Sequence, residues 1–241
     1  MTEQTPLFAC HGIGMDARFF DRQAEVRPIH GFNMPGFGGT APAALRFDGL
    51  AQSLADQIDA EGGRAHILGH SMGGMVALEL AATQPQKVAS LILCNTTPAF
   101  GGRDDSFRRA FVSARLAPLE AGGTMADVAK GLRAMCGPQA SARDICFLQG
   151  LASELPEAAY RHAIACLVTF DRRDALADLR MPVVLIGGED DQAAPAKTMR
   201  KMADQIAGAD CHILPGGHMT PVEQSALVNQ ILREFLDRAE K

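Results

Sequence analysis

The sequence predicts an α/β fold: a mainly parallel sheet of about six strands, helices on both faces, and a helical insertion. Three observations predict it. Five short runs are almost continuously apolar, as strands covered on both faces should be. Stretches of helical periodicity alternate with them, the pattern of a parallel sheet. Between residues 99 and 179 no strand-like run occurs, so the alternation is interrupted there by something helical.

The elements follow in order. "LFAC" (residues 7–10) reads as the first strand, and "RPIHGF" (27–32) as a weaker sixth candidate. A helix is expected over residues 48–60, a strand at "HILG" (66–69), a helix over 71–84 and a strand at "VASLILC" (88–94). After the interruption come "PVVLIG" (182–187), a helix over 195–207, the strand "CHIL" (211–214) and a helix over 222–238. Four helices fill the gap. Phe107, Phe111 and Ala114 share one face of the first. Met125, Val128, Ala129 and Leu132 follow the i, i+3, i+4, i+7 spacing in the second, with Thr124 and Asp127 as a capping pair. Ser141 and Asp144 repeat that pair before Ile145 and Leu148, and Tyr160, Ala163, Ile164, Leu167 and Val168 mark the fourth. Residues 1–98 and 179–241 are therefore expected to form the α/β core and residues 99–178 a helical cap, a lid over the carboxyl end of the sheet.

Composition narrows the function. The chain has 241 residues, 47% of them hydrophobic, enough for a sizeable core. A net charge of −5 without any long basic block argues against nucleic acid as a partner. "MTEQTP" lacks the basic and apolar regions of a signal peptide. No apolar run approaches the ~20 residues of a membrane span, so no membrane partner is expected. The six cysteines are scattered, with no C-x-x-C pair. That pattern predicts a reducing, cytoplasmic setting, without disulfides or a zinc site.

The chemistry centres on "GHSMGG" (69–74). Gly69-His70-Ser71-Met72-Gly73 matches G-x-S-x-G, with an apolar strand leading in and a helix leading out. A turn that sharp excludes side chains at Gly69 and Gly73 and holds the Ser71 hydroxyl at the carboxyl end of the sheet. A serine needs a base. Of the seven histidines, His66 and His70 are too close in sequence to fold back onto Ser71, and His212 lies in an apolar strand run. His218, in the glycine-rich loop "PGGHMTP" after the last strand, is favoured. The base needs an orienting carboxylate, and "GGEDDQAAP" offers Glu189, Asp190 and Asp191. Spacing alone does not choose among them.

Five segments in order carry a resemblance: "CHGIGMDARFF", "NMPGFGGT", "GHSMGG", "GEDDQAAP" and "GGHMTPVEQ". Together they resemble the H-G-x-G, D-x-P-G-x-G-x-S, nucleophile-elbow, acid-loop and histidine-loop segments of the α/β-hydrolase superfamily. "LILCNT" and the stretch from "FDRRD" to "DQAAP" look most like 3-oxoadipate enol-lactonases and related small carboxylesterases. The resemblance implies Asp191 as the acid, and the backbone N–H groups of Ile13 and Met72 as an oxyanion hole. About six residues precede "LFAC", so the first two strands of the family are expected to be missing. Asn33 stands where the family has aspartate. His11 belongs to the H-G segment, where enol-lactonases often lack histidine, and it is expected to brace its loop.

By loop position His11, Met15, Phe37 and Phe100 are expected at the substrate, whereas Phe19 and Phe20 read equally well as core. Arg103, Arg108 and Arg109 are weighed as contacts for an anion and read as a solvated helix face. The expected activity is hydrolysis of a small ester or lactone by Ser71, His218 and Asp191, with no metal or organic cofactor implied. Rivals on the same residues are C–C bond hydrolysis, a lyase reaction, thioester hydrolysis or acyl transfer, and perhydrolysis. A non-catalytic ligand-binding protein would be expected to break the triad, and all three residue types are present.

Overall fold

The computed structural model describes residues 4–101 and 105–241. Six strands, β1 (Leu7–Cys10), β2 (Ile29–Phe32), β3 (Ala65–His70), β4 (Val88–Cys94), β5 (Val183–Gly188) and β6 (Asp210–Leu214), form one sheet in the order β2-β1-β3-β4-β5-β6. Every neighbouring pair is parallel.

Alternation along the strands explains their apolar composition. Phe8, Ile67, Leu91, Leu93 and Leu185 enter one core cluster, while Ala9, Leu68, Ile92, Val184 and Ile186 enter the cluster on the other face. Helices cover both. On the first side lie α1 (Phe47–Ala60), through Leu50, Leu54 and Ile58, and α2 (Met72–Thr83), which is buried from Met72 to Ala81.

Four helices stand between β4 and β5: α3 (Asp105–Glu120), α4 (Met125–Lys130), α5 (Ala142–Ser153) and α6 (Glu157–Leu167). Thr124 and Asp127 form the reciprocal capping box at α4, and the Ser141 hydroxyl accepts the Asp144 N–H at 3.1 Å at α5. A 3₁₀ turn, Gly131–Met135, continues α4. The insertion has a closed neck. The Phe100 N–H donates to the Phe170 carbonyl at 2.9 Å and the Arg172 N–H to that of Pro98 at 2.7 Å. Arg172 also pairs, at 2.6 Å, with Glu79, which is buried on α2.

Two helix boundaries differ from the sequence expectation. The helix expected over 195–207 is α7 (Ala196–Ala203), and the chain then turns through Gly208 at φ +72°. The helix expected over 222–238 is two, α8 (Thr220–Glu223) and α9 (Ser225–Ala239), broken at Gln224. The Glu223 carboxylate accepts the Gly217 and Met219 N–H groups, which ties α8 to the preceding loop. Val228, Leu232, Phe235 and Leu236 of α9 cover the second face of the sheet. Among the described residues, no helix is long and apolar enough to cross a membrane, and the six cysteines are free thiols.

The chain runs outward from β1 to β2 and then returns to the other side of β1 at β3. Sheets of this kind open a crevice beyond the strand ends at such a reversal, the usual place for a ligand. The loop after β1 and the turn after β3 both end there.

Candidate active site

The turn after β3 is built by exclusion. Ser71 sits at φ 52°, ψ −119°, a conformation that costs a non-glycine residue about 1–3 kcal/mol. A Cβ on Gly69 would lie 2.6 Å from the Gly73 carbonyl oxygen, and one on Gly73 would lie 1.9 Å from that of Cys10. Only glycine lets β1, β3 and α2 converge so closely. The Ser71 N–H donates to the Cys94 carbonyl at 3.0 Å, and its own carbonyl accepts the Thr96 hydroxyl at 2.7 Å. The strained residue is therefore held from both sides.

His218 Nε2 lies 3.0 Å from Ser71 Oγ, and His218 Nδ1 lies 2.8 Å from Asp191 Oδ2. Asp191 is buried, whereas Glu189 and Asp190 on the same loop are exposed. Asp191 Oδ1 accepts the Ala193 and Ala194 N–H groups at 2.8 and 2.9 Å, and Oδ2 also accepts Asn95 Nδ2 at 2.9 Å. Burial opposes ionisation of Asp191. The hydrogen bond and electrostatic attraction of the His218 ring, the Ala194 amide and Asn95 outweigh burial and hold the carboxyl at about 2. A carboxylate facing Nδ1 favours an N–H there, which leaves the Nε2 side of the ring toward Ser71.

Sequence reading does not single out several residues that hold this chain of bonds. Asn95, at φ 46°, accepts the Thr220 hydroxyl while it donates to Asp191. The sign available in sequence is an Asn-Thr pair directly after an apolar strand, since asparagine tolerates positive φ. Glu223 accepts the Gly217, Met219 and Gly137 N–H groups, the last at 2.6 Å. The His218 N–H donates to the Met135 carbonyl at 2.7 Å. The histidine loop is thus fastened to the insertion as well as to the sheet.

Ile13 lines the crevice, and Met72, whose side chain is buried, directly follows Ser71. Met72 is the first residue of α2, a position whose N–H has no acceptor within its helix. Ile13 follows Gly12, whose Cβ, were it present, would lie 3.0 Å from the Ser71 Cβ.

A cavity of about 840 Å³ opens on Ser71 and His218. Its walls come from the core and from the insertion, including Phe100, Phe111, Val128, Leu132 and Ile164. Phe107, 53% exposed, stands where the cavity meets solvent.

Three residues expected at the substrate do not line this cavity. His11 is buried, its Nδ1 2.9 Å from the Gly12 carbonyl oxygen and its Nε2 accepting the Met34 N–H at 3.3 Å. These contacts tie its ring to the loop after β1 and to Met34. Phe37 packs against the His11 ring, 4.9 Å between centroids, and Met15 is buried in the core cluster beside Phe19 and Phe20. Their loops reach the crevice, but the side chains turn inward, where burial is most favourable. Phe100 does line the cavity. Asn33 serves its loop differently from an aspartate, accepting the Ala17 N–H at 2.8 Å. Arg108 pairs with Asp105 at 3.3 Å, Arg109 is exposed, and Arg103 lies outside the described residues.

His70, set aside as a base from its place in sequence, does reach the site. Its Nε2 lies 2.8 Å from the His218 carbonyl oxygen, and its ring lies tilted against Phe19, 4.5 Å between centroids. Burial, and then the neighbouring His218, push it down to about 3, so it is neutral at ordinary pH. Burial likewise lowers His11 to about 4.

These two histidines make stability depend on pH. Below 6.5 the unfolded chain protonates both while the folded protein does not, so protons favour unfolding until pH reaches the lowered folded values. Each contributes a slope of about 1.4 kcal/mol per pH unit. Urea unfolding at pH 5 should therefore give a free energy roughly 2–4 kcal/mol below that at pH 7. A stability that stays flat over this interval would contradict the burial argument.

No group of three or more His, Cys, Asp and Glu side chains converges as metal ligands would among the described residues. The model of the alpha/beta hydrolase family matches residues 7–231. "Putative carbamate hydrolase RutD" of Variovorax paradoxus is 31% identical, over 94% of this chain and 90% of that protein. A pimeloyl-(acyl-carrier protein) methyl ester esterase of Neisseria meningitidis is 28% identical, over 96% of this chain and 92% of its own. The solved enol-lactonase of Burkholderia xenovorans superposes with a TM-score of 0.87 at 20% identity, over 98% of this chain and 92% of that one.

Proposed function

On the premise that the chain belongs to the alpha/beta hydrolase family, we propose that it is a serine hydrolase that cleaves a small carboxylic ester or lactone through an acyl-enzyme on Ser71. The observation that carries this reading is the continuous hydrogen-bonded chain Ser71–His218–Asp191 at the floor of a largely apolar cavity.

In the proposed reaction, Ser71 Oγ attacks the substrate carbonyl as His218 Nε2 takes its proton. The ionised Asp191 holds the His218 ring and stabilises the imidazolium that forms. The N–H groups of Ile13 and Met72 bind the negative charge developing on the carbonyl oxygen. Such donors are worth about 3–4 kcal/mol each when aligned. His218 then protonates the leaving alkoxide, which for a lactone stays on the acyl chain. Water, deprotonated by the same histidine, releases the acid and restores Ser71. His70, neutral and bonded to the main chain of the histidine loop, is a positioning residue. Residues 99–178 act as the cap that closes the cavity and excludes bulk water.

A fluorophosphonate should label Ser71 stoichiometrically, and the wild-type protein should turn over members of a panel of p-nitrophenyl esters and small lactones. Labelling without turnover of any ester or lactone would move the reading to C–C hydrolysis or a lyase. Hydrolysis of a carbamate, the activity in the name of the Variovorax relative, uses the same attack and is tested by adding carbamates to the panel.

Cavity size adds a prediction. A space of about 840 Å³, roofed by the helices of the insertion, is on the scale of a small-molecule site, and a long extended chain would have to fold within it. Across C2, C4, C8 and C16 p-nitrophenyl esters, kcat/KM should peak at C2 or C4 and fall at C16 by at least about tenfold, reporting differential transition-state binding. A maximum at C16 would show that the cap opens for long chains.

A further inference from the structure

The main chain around His218 is bonded in two directions. Toward the core, the Gly216 carbonyl accepts the Asp190 N–H at 2.9 Å, the Gly217 carbonyl accepts Asn95 Nδ2 at 3.2 Å, and the His218 carbonyl oxygen lies 2.8 Å from His70 Nε2. Toward the insertion, the His218 N–H donates to the Met135 carbonyl at 2.7 Å. Glu223 joins the two sides. Its Oε1 accepts the N–H groups that flank His218, Gly217 at 3.1 Å and Met219 at 3.0 Å. Its Oε2 accepts the Gly137 N–H, from the insertion, at 2.6 Å. Hydrogen bonds to an ionised acceptor are roughly twice as strong as neutral ones.

The same segments meet without side chains between them. A Cβ on Gly137 would lie 2.6 Å from the Gly216 Cα, and one on Gly217 would lie 2.4 Å from the Met135 carbonyl oxygen. A Cβ on Gly188, at the end of β5, would lie 2.0 Å from the Gly217 carbonyl oxygen. The histidine loop therefore packs main chain to main chain against both β5 and residues 135–137. No flexible side chain is there to absorb a displacement, and interiors packed in this way transmit strain.

We propose that Glu223 is a positioning residue that couples the seating of the insertion over the cavity to the placement of His218 against Ser71. The base is aligned while residues 135–137 are docked on its loop and loses alignment when they lift. A misplacement of about 1 Å costs on the order of 10²-fold in rate, so a small shift of this loop is enough. The proposal rests on the hydrolase reading for its rate measurements and not for the contact itself. Both carboxylate oxygens are in use, and an amide offers only one acceptor oxygen. Whichever way a glutamine turned, either the insertion or the histidine loop would lose its acceptor.

The test begins with Glu223→Gln, on the best ester of the panel. It should lower kcat at least about tenfold, change KM less than threefold, and slow fluorophosphonate labelling of Ser71 by the same factor as kcat. Gly137→Ala pushes on the same contact from the insertion and should do likewise. The double variant should be scarcely slower than either single one, because both remove one coupling. In a His218→Ala background, Glu223→Gln should have no further effect on the residual rate, since it acts through that ring. Gly150→Ala, within α5 and with no atom within 4 Å of its absent Cβ, is the control that keeps wild-type labelling. Circular dichroism shows that each variant is folded at the assay temperature. Labelling of folded Glu223→Gln at the wild-type rate, or an undiminished effect of Glu223→Gln in the His218→Ala background, would overturn the proposal. Hydrogen exchange of the His218 amide, followed by NMR, needs neither turnover nor labelling. It should speed up at least about tenfold in Glu223→Gln and in Gly137→Ala, with the amides of β4 unchanged. A wild-type protein that labels and hydrolyses nothing would reject the hydrolase reading, and the exchange rate would still decide the coupling. Unchanged exchange of the His218 amide in both variants rejects it.

Discussion

Ser71→Ala and His218→Ala are each expected to lower kcat by about 10⁴–10⁶ while leaving the fold intact. In the proposed reaction the Ser71 proton passes to His218 Nε2, 3.0 Å away. The two substitutions remove the same concerted step, so the double variant should be scarcely slower than either single one. Asp191→Asn should cost about 10⁴, because an amide in place of the carboxylate no longer selects the Nδ1–H tautomer or stabilises the imidazolium. Asp190→Asn is the control, since Asp190 is exposed and its side chain does not meet His218. Single-turnover kinetics on one p-nitrophenyl ester, with circular dichroism of each variant, makes the comparison. Activity lost in Asp190→Asn and kept in Asp191→Asn would reassign the acid.

Gly73→Ala should be nearly as damaging by another route. The added Cβ would sit 1.9 Å from the Cys10 carbonyl oxygen, 2.3 Å from the carbon of that carbonyl and 2.6 Å from the His11 oxygen. These are main-chain atoms at the end of β1, so no side chain can swing aside. Either α2 withdraws from β1 or the loop after β1 moves, and that loop carries the Ile13 N–H. Overpacking of this kind costs about 3 kcal/mol or more. In a protein of this size that lowers Tm by roughly 6–12 °C. Displacing one proposed oxyanion donor should cost a further 10²–10³ in kcat, measured below the lowered Tm. Gly150→Ala provides the contrast. Gly150 lies within α5 with no atom within 4 Å of its absent Cβ, and alanine favours helix. A Gly73→Ala protein with unchanged Tm would refute the close-packing account of the elbow.

Much of this was legible in the sequence because the signals are local. Strands covered on both faces must be apolar throughout, so "VASLILC" and "PVVLIG" announce β4 and β5 without knowledge of their neighbours. The elbow is legible for the same reason, as strand, glycine, serine, glycine and helix are contiguous. Capping at Thr124 and Ser141 depends on residues three positions apart. Helix ends were less legible: the break at Gln224 follows from Glu223 reaching back to the histidine loop, a contact outside helical periodicity.

By itself, then, the sequence determined the α/β order of elements, the place of the helical insertion, and Ser71 and His218 as candidates. Direction of side chains belonged to the tertiary structure. Glu189, Asp190 and Asp191 are consecutive acids on one loop, and only the packing of that loop against Asn95 and the histidine loop turns Asp191 inward. Met15 and Phe37 sit on the expected loops yet face the core. Phe107 and Phe111 share a face of α3, but nothing in that spacing says that α6 and the 3₁₀ turn after α4 complete a cavity with them. Periodicity reports which face of an element is buried. What that face meets is decided by contacts between segments far apart in the chain, and no local pattern encodes them.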